Sequence, residues 1–284
     1  MKKILLLFVC LFVCWALFAQ QRIKVACVGN SITYGTGLAD RATQSYPVQL
    51  QKLLGEHYEV ENFGKPGATL LNQGHRPYTR QEEYRKALDF AGDIVVIHLG
   101  INDTDPRDWP NYRDSFVTDY LNLMDTFRKA NPDVRIIIAR MTPIADRHNR
   151  FLSGTRDWHG EMQTAIETVA HYAGVQLIDF REPLYPYPFL LPDAVHPTAE
   201  GAAIMAKTVY SAITGDYGGL KLSPLYMDNM VLQRDTPLLI HGTANAGEQV
   251  TVRIDHQQWI TKAALDGKWS VKLSPLKAGG PYPS

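Results

Sequence analysis

Short apolar runs alternate along the chain with longer stretches in which apolar residues recur every three or four positions. The runs predict strands, at residues 23–28, 59–62, 94–98, 135–139 and 175–179. The longer stretches predict helices, around residues 47–54, 82–90, 112–130, 161–172 and 198–213. Runs that are apolar at every position are typical of strands buried on both faces of a parallel sheet. The pattern therefore predicts an α/β fold, a three-layer α/β/α sandwich with a mostly parallel five-stranded sheet.

The pattern changes after Gly218 and Gly219, where shorter runs of alternating polar and apolar residues begin. These runs predict further strands, at residues 230–233, 238–241, 249–254, 259–264 and 269–273. Asp266-Gly267 lies between the last two runs, and Asp-Gly in that position is typical of a hairpin. We therefore predict an α/β domain over residues 22–216 and a small all-β piece over residues 220–284. The β pattern stops at Ser284 as though a further strand were missing, which predicts a fragment of a longer protein.

The N-terminus has the pattern of a secretory signal. Lys2 and Lys3 precede an apolar stretch that ends at Phe18, and Ala19 offers a small residue for cleavage. We predict that residues 1–19 form a signal peptide and that the protein is periplasmic or extracellular in a bacterium. The apolar stretch is shorter than the ~20 residues that a membrane span needs, although an uncleaved anchor stays open as an alternative. No span is predicted in the mature chain.

The charge balance argues against a highly charged partner. The chain has 29 Lys and Arg against 29 Asp and Glu, and loss of Lys2 and Lys3 leaves the mature chain slightly acidic. No nucleic-acid surface is therefore predicted, and the expected partner is a small-molecule or glycan ester. Cys27 is the one cysteine left after cleavage, so we predict a buried apolar residue and no internal disulfide. The sequence does not specify an oligomeric state.

Three residues predict a nucleophilic site. Ser31 directly follows the first predicted strand, and Asp193 and His196 lie together ahead of the last predicted helix. A serine hydroxyl becomes a nucleophile when an imidazole accepts its proton, and a carboxylate can hold that imidazole in the required tautomer. The carboxyl ends of parallel strands are where open α/β sheets place their active clefts. We therefore predict Ser31, Asp193 and His196 as the catalytic residues of an esterase.

Two later turns supply candidate donors for the oxyanion of such a reaction. Gly67 offers a backbone N–H and Asn102 a side-chain amide, and the Ser31 backbone N–H would be a third donor. Each residue also has a purely structural explanation, as a helix cap or a turn former. Their joint placement at successive strand ends favours one catalytic site. No cofactor and no metal are predicted, and His98 is predicted to be a hydrogen-bonded core residue.

The four blocks that contain Ser31, Gly67, Asn102 and His196 resemble those of the SGNH (GDSL-like) hydrolase family, which is named after these residue types. The order of the blocks matches over roughly residues 24–214, and the spacing of an aspartate three residues before the histidine is also similar. Asn30 departs from the aspartate that many members carry before the serine. The resemblance implies a flavodoxin-like fold and a serine esterase that needs no cofactor.

The C-terminal piece has a resemblance of its own. Residues 222–234, 266–269 and 278–282 look like parts of the opening β-module of sialate O-acetylesterases, whose own catalytic serine lies beyond that module. The resemblance implies a partial β-sandwich module and a fused protein cut short, and leaves open whether a second catalytic module follows residue 284. It favours short acetyl esters on carbohydrates, sialic acid foremost, as the substrate.

Two loops are candidates for substrate binding. His75 and Arg76 follow the Gly67 turn, and Tyr185 and Tyr187 precede Asp193, where they would form an aromatic wall against a sugar face. Plain packing over the sheet edge is the alternative for the aromatic loop. The polar run 146–150 predicts an exposed flap or a solvated loop. Two other functions stay open: a lysophospholipase or thioesterase of the same family, and a non-catalytic sugar-binding module.

Overall fold

The computed structural model describes residues 22–149, 155–254 and 256–279. The predicted signal peptide at residues 1–19 lies outside these ranges. The chain divides into two compact units between Ala206 and Lys207. This division falls inside the last long helix, Ala199–Thr214.

Five parallel strands form the sheet of the first unit. They are β1 (Ile23–Gly29), β2 (Tyr58–Gly64), β3 (Ile94–His98), β4 (Arg135–Arg140) and β5 (Gln176–Asp179). Their order is β2-β1-β3-β4-β5, with every neighbouring pair parallel, which is the flavodoxin-like order. Every residue of β3 is buried, as expected for a strand covered on both faces. The predicted fold class is confirmed.

Eight α-helices lie among the described residues. They are α1 (Ser31–Tyr34), α2 (Arg41–Gln44), α3 (Tyr46–Leu54), α4 (Glu82–Phe90), α5 (Trp109–Tyr112), α6 (Phe116–Ala130), α7 (Thr155–Ala173) and α8 (Ala199–Thr214). Short 3-10 turns occur at Tyr78–Arg80, Ile101–Thr104, Arg113–Ser115 and Pro188–Leu190. The described part of the chain contains no helix with the length and apolar character that a bilayer crossing requires.

The helix layers follow from which helices meet. Helix α3 reaches α8, because Gln49 Nε2 donates to the Ala199 carbonyl at 3.0 Å. Helix α4 packs against α6, and α6 packs against α7. Helix α7 begins six residues before the predicted start at residue 161. Its first two turns bury Thr155 and His159, which are polar, so the apolar periodicity begins later than the helix itself.

Two reactive side chains belong to the core of the first unit. Cys27 is fully buried in β1, and burial raises the pKa of its thiol to about 12, so it behaves as an apolar residue. His98 is also fully buried, but the prediction that it is hydrogen-bonded is wrong. Neither of its ring nitrogens has a partner among the described residues. Its ring instead meets Phe180 edge to face at 5.1 Å, and burial lowers the pKa of His98 to about 3, which keeps the imidazole neutral.

The second unit contains two small antiparallel sheets. One has the order β10-β7-β6 and the other pairs β8 with β9. The strands are β6 (Lys221–Leu222), β7 (Leu238–Thr243), β8 (Gln249–Ile254), β9 (Gln257–Lys262) and β10 (Lys268–Leu273). The prediction of a strand at residues 230–233 is wrong. Val231 is 96 % exposed, so this apolar run does not turn alternate side chains into a core.

The Asp266-Gly267 turn does not make the predicted hairpin. The turn closes locally, since the Ala264 N–H donates to the Lys268 carbonyl at 2.8 Å. The two strands that flank the turn do not pair with each other, because β9 pairs with β8 whereas β10 pairs with β7. A turn motif determines the local reversal of the chain, but the partner of each strand is decided by the side chains that it buries. Here these are Ile240, Val250, Trp269 and Leu273 in the core of the unit.

Candidate active site

Ser31 is the first residue of α1 and directly follows β1. Asn30 caps this helix, because its Oδ1 accepts the Ile32 N–H at 2.9 Å. An asparagine therefore provides the same capping oxygen as the more usual aspartate. A glycine is required at position 29, since a Cβ there would lie 2.0 Å from Thr33 Oγ1. This tight strand–turn–helix places Ser31, which is 8 % exposed, at the carboxyl edge of the sheet.

The structure brings Ser31, Asp193 and His196 together. His196 Nε2 lies 2.8 Å from Ser31 Oγ, although 165 residues separate the two in sequence. His196 Nδ1 lies 2.6 Å from Asp193 Oδ2. The other oxygen of Asp193 accepts the backbone N–H groups of His196 at 2.7 Å and Val195 at 3.0 Å. The carboxylate thus holds the ring with Nδ1 protonated, which leaves Nε2 as the acceptor for the serine proton.

The electrostatics of Asp193 favour its charged form. Partial burial by itself would raise the pKa of this carboxyl, but hydrogen bonds from His196 and Val195 outweigh that effect. The pKa of Asp193 consequently lies below its usual value. Asp193 is therefore ionised at neutral pH and can stabilise a positive charge on His196.

Ala194, between these residues, has an unusual backbone conformation. Its φ is +73°, in the left-handed region that costs a non-glycine residue roughly 1–3 kcal/mol. Two backbone hydrogen bonds hold it there. The Ala194 N–H donates to the Leu191 carbonyl at 2.8 Å, and the Ala194 carbonyl accepts the Ala145 N–H at 2.9 Å. These two bonds thereby hold the bend of the loop that carries Asp193 and His196.

The predicted oxyanion donors lie on neighbouring turns. Gly67 follows β2 with φ +77°, a conformation that favours glycine. Within the described chain, the backbone N–H groups of Gly67 and Ser31 make no hydrogen bond, so both are free to donate. Asn102 lies in the turn after β3, where one of its two amide N–H groups donates to the Ala68 carbonyl at 2.9 Å. Its second N–H remains for another acceptor.

Asp103 is a residue of the site that the sequence reasoning missed. It is fully buried, and its two oxygens accept the backbone N–H groups of Leu70 at 2.9 Å and Leu71 at 2.7 Å. Asp103 thereby ties the loop that carries Gly67 to the turn that carries Asn102. Burial raises the pKa of Asp103 to about 7, while the two N–H donors act in the opposite direction. The signal available in the sequence was an acidic residue directly after Asn102 at a strand end.

The adjacent residues His75 and Arg76 face different partners. Asp108, which is buried, accepts the backbone N–H of His75 at 2.9 Å and lies 2.6 Å from its Nδ1. Arg76 Nη1 donates to the Pro66 carbonyl at 3.0 Å. The same nitrogen lies 3.1 Å from the position that a Cβ would take on Gly67. Arg76 therefore borders the turn that holds a candidate oxyanion donor, whereas Asp108 fixes the His75 ring.

The aromatic loop before Asp193 is exposed. Tyr185 and Tyr187 are 62 % and 46 % exposed, so plain packing over the sheet edge does not account for them. The Tyr187 ring meets Phe189 edge to face at 5.9 Å. Arg147, from the polar run after β4, donates to the carbonyls of Pro188 at 3.1 Å and of Leu191. The described part of that run is thus attached to the aromatic loop.

Metal-ligating side chains do not converge in the described ranges. No group of three or more His, Cys, Asp or Glu residues there has the arrangement of a metal site. The predicted site histidines each pair with a single carboxylate, His196 with Asp193 and His75 with Asp108.

Comparison with known proteins gives one family match and one curated relative of note. The model of the GDSL-like Lipase/Acylhydrolase family matches residues 27–204. An acetylxylan esterase from Xylanibacter ruminicola is 33 % identical over 215 residues, which cover 68 % of this chain and 44 % of that protein. The chain thus spans less than half the length of this relative.

Solved structures share the fold of the first unit. The acetyl xylan esterase AlAXEase matches with a TM-score of 0.53 at 22 % identity, over 67 % of this chain and 100 % of that one. A carbohydrate esterase family 3 protein from Talaromyces cellulolyticus matches with a TM-score of 0.50 at 17 % identity, over 68 % of this chain and 96 % of that one. The family match covers the whole stretch from Ser31 to His196 and confirms the resemblance to this family. The chain belongs to the GDSL-like lipase/acylhydrolase family.

Proposed function

We propose that the protein is a serine esterase that removes acetyl groups from carbohydrates. The observation that carries this proposal is the hydrogen-bonded series from Ser31 Oγ through His196 to Asp193, at 2.8 and 2.6 Å. A sugar-binding module needs no such relay, because binding requires no proton transfer. Membership of an acylhydrolase family and the similarity to an acetylxylan esterase support the same assignment.

Acylation begins when Ser31 Oγ attacks the carbonyl carbon of the acetyl ester. His196 Nε2 accepts the hydroxyl proton in the same step, and Asp193 stabilises the imidazolium that forms. The carbonyl oxygen becomes an oxyanion that accepts hydrogen bonds from the N–H groups of Ser31 and Gly67 and from the free amide N–H of Asn102. His196 then protonates the sugar oxygen, which leaves as an alcohol, while the acetyl group stays on Ser31.

Deacylation repeats these steps with water. His196 Nε2 accepts a proton from the water that attacks the acetyl-serine, and the oxyanion forms at the same donors. Collapse of this intermediate releases acetate, and His196 returns the proton to Ser31 Oγ. Asp193 keeps the ring in one tautomer throughout, so no other proton donor is needed.

The surroundings of the site favour a sugar over a long acyl chain. The cavity next to the Asp193 loop is lined by three arginines and several polar side chains, among the described residues that bound it. Exposed tyrosine rings lie on the same loop, and such rings stack on sugar faces. A lysophospholipase or thioesterase would need a long apolar groove instead.

The proposal also concerns which sugar carries the acetyl group and where the protein acts. The relative points to acetylated xylan, whereas the resemblance of residues 220–284 to a sialate O-acetylesterase module points to acetylated sialic acid. We infer that the N-terminal residues 1–19 direct export, since polymeric glycans lie outside the cytoplasm. Export is supported by the charged and apolar pattern of that segment.

Acetate release tests the proposal. Purified protein is assayed on acetylated xylan, on O-acetylated sialic acid and on p-nitrophenyl esters of increasing chain length. We expect sugar acetates and short esters to be cleaved, with kcat/KM falling steeply beyond short chains. Equal activity on long-chain esters would favour the lipid alternative. A fluorophosphonate that labels wild type but not Ser31→Ala identifies the nucleophile, and an unlabelled wild type that still binds sugar would contradict the enzyme assignment.

A further inference from the structure

A cavity of about 740 Å³ lies beside the loop that carries Asp193. Its walls come from the end of β4, the first half of α7 and the loop after β5. The volume falls within the roughly 300–1,000 Å³ of typical small-ligand pockets. Ser31 and His196 are not among its lining residues, so it is a compartment separate from the nucleophile.

The cavity shares its wall with the catalytic loop. Leu191 lines it and lies two residues before Asp193. Ala145 lines it as well, and its N–H donates to the Ala194 carbonyl at 2.9 Å. A ligand held here would therefore adjoin the peptide that carries Asp193 and His196, as a second part of a larger substrate would.

Three arginines line the cavity and differ in how their charge is balanced. Arg140 pairs with Asp179 at 3.0 Å and with Glu167 at 3.2 Å, so its charge is neutralised. Arg156 is exposed and lies 3.6 Å from Asp157, a surface pair of little strength.

Arg181 has no ion-pair partner within the described residues. Asp146 is the carboxylate that lines the cavity, and it is exposed. The uncompensated positive charge of the cavity is therefore concentrated at Arg181, and the exposed Arg156 also lines the cavity.

The Arg181 guanidinium is held in place by stacking. Its carbon atom lies 4.5 Å from the centre of the Tyr185 ring, a cation–π contact that restricts the movement of the group. A fixed guanidinium presents paired N–H donors whose geometry matches a carboxylate. Tyr185 keeps most of its surface exposed, so a sugar ring can lie against it.

Two other polar side chains of the cavity, His159 and Gln163, already have hydrogen-bond partners. His159 Nε2 lies 3.0 Å from the Thr142 carbonyl, and burial lowers the pKa of His159 to about 4, so the ring is neutral. Gln163 bonds with both of its amide atoms to the backbone of Met141. Neither side chain competes with Arg181 for an anion.

We propose that this cavity binds the carboxylate of an acidic sugar unit in the acetylated glycan, with Arg181 as its main partner, Arg156 as a second and Tyr185 beside the ring. This assignment rests on the proposed function, since it concerns the same substrate. The acidic sugar can be a uronic acid branch of a plant polysaccharide or a sialic acid. Both carry a carboxylate on a sugar ring.

Direct binding to the full chain tests the assignment, with Ser31→Ala as the background so that no turnover occurs. The probes are xylotriose that carries a glucuronic acid branch, unsubstituted xylotriose and N-acetylneuraminic acid, measured by calorimetry. We expect an acidic probe to bind at least roughly tenfold more tightly than xylotriose, because a charge-assisted bond is added. Preference for the branched xylotriose indicates a plant polysaccharide, and preference for N-acetylneuraminic acid indicates sialic acid. Equal affinity for acidic and neutral probes overturns the assignment.

Two variants locate the effect. Arg181→Gln should remove the preference for the acidic probe, and Arg156→Gln, at an exposed position, should reduce it. The control is Arg128→Gln on α6, an arginine that pairs with Asp125 outside the cavity and should change nothing. Unchanged acidic preference in Arg181→Gln and Arg156→Gln would refute the assignment. If wild type releases no acetate from any substrate, the proposed function fails; if acetate is released but the variants bind as the control does, only the cavity assignment fails.

Discussion

Asp103 Oδ1 accepts the backbone N–H of Leu71 at 2.7 Å, and this bond joins the turn after β3 to the loop after β2. Together with the bond from Leu70, it fixes how far apart Gly67 and Asn102 lie. Two oxyanion donors from different loops can act on one oxygen only if their separation is fixed. We therefore propose that Asp103 positions the two candidate oxyanion donors and does not itself touch substrate.

Removal of Asp103 should affect both stability and turnover. Asp103→Ala leaves two buried N–H groups without an acceptor, so the free energy of unfolding should fall by about 2–5 kcal/mol. The value of kcat on p-nitrophenyl acetate should fall more than tenfold while KM changes little. Urea unfolding and steady-state kinetics on one preparation measure the two effects.

Asp119→Ala is the matched control for this variant. Asp119 also accepts a backbone N–H from the same loop, that of Asn72 at 2.8 Å. Asn72 lies farther from Gly67 in sequence than Leu70 and Leu71 do. The Asp119→Ala variant should be less stable than wild type, but its kcat should stay within about threefold of the wild-type value. An equal loss of kcat in both variants would argue that the loop is merely loosened and that Asp103 has no special role.

Asn102 is either an oxyanion donor or only a turn former, and its substitution by alanine distinguishes the two roles. If it donates to the oxyanion, Asn102→Ala should lower kcat on the order of 10²–10³-fold with KM nearly unchanged. Ser31→Ala should be more severe while the fold stays intact. Because Asn102 also bonds to the Ala68 carbonyl, melting temperatures are measured alongside. A large drop in melting temperature with kcat within a few-fold of wild type would remove Asn102 from the oxyanion site.

Asp193 should contribute stability that depends on pH. Its pKa in the folded state lies below the unfolded value of about 3.8, since hydrogen bonds from His196 and Val195 outweigh partial burial. The contribution is therefore present above pH of about 4 and is lost as the pH falls through the folded pKa. The difference in unfolding free energy between wild type and Asp193→Ala should shrink over that range. A difference that stays constant down to pH 2 would contradict this account.

The left-handed conformation of Ala194 predicts which substitutions are tolerated in the loop that carries Asp193 and His196. Ala194→Gly relieves the strain at φ +73° and should keep kcat within about threefold. Ala194→Val places a β-branched side chain in that conformation and should lower both stability, by about 2 kcal/mol or more, and kcat. The neighbouring Val195→Ala serves as a control for volume. Equal activity of the Gly and Val variants would show that the bend is not held in solution.

The sequence by itself determined the fold class and the set of candidate catalytic residues. Apolar runs such as β3 predict strands because burial on both faces demands apolar side chains at every position. The segment from Gly29 to Ser31 predicts a strand–turn–helix because its signals are local. The resemblance of the four blocks implied a flavodoxin-like fold, whose parallel sheet places the ends of successive strands along one edge.

Tertiary structure alone decided the contacts between residues far apart in sequence. Three features depend on which surfaces meet. They are the two hydrogen bonds of Asp103, the lack of hydrogen-bond partners for the His98 ring among the described residues, and the pairing of β9 and β10 with different strands. The cavity around Arg181 gathers side chains from three elements, and none of them has a pattern that identifies it. Local propensity acts within a few residues, whereas these features arise from packing between elements, where shape and burial choose the partner. This is why the sequence indicates the candidate nucleophile, Ser31, while the structure shows which groups contact it and which cavity lies beside its loop.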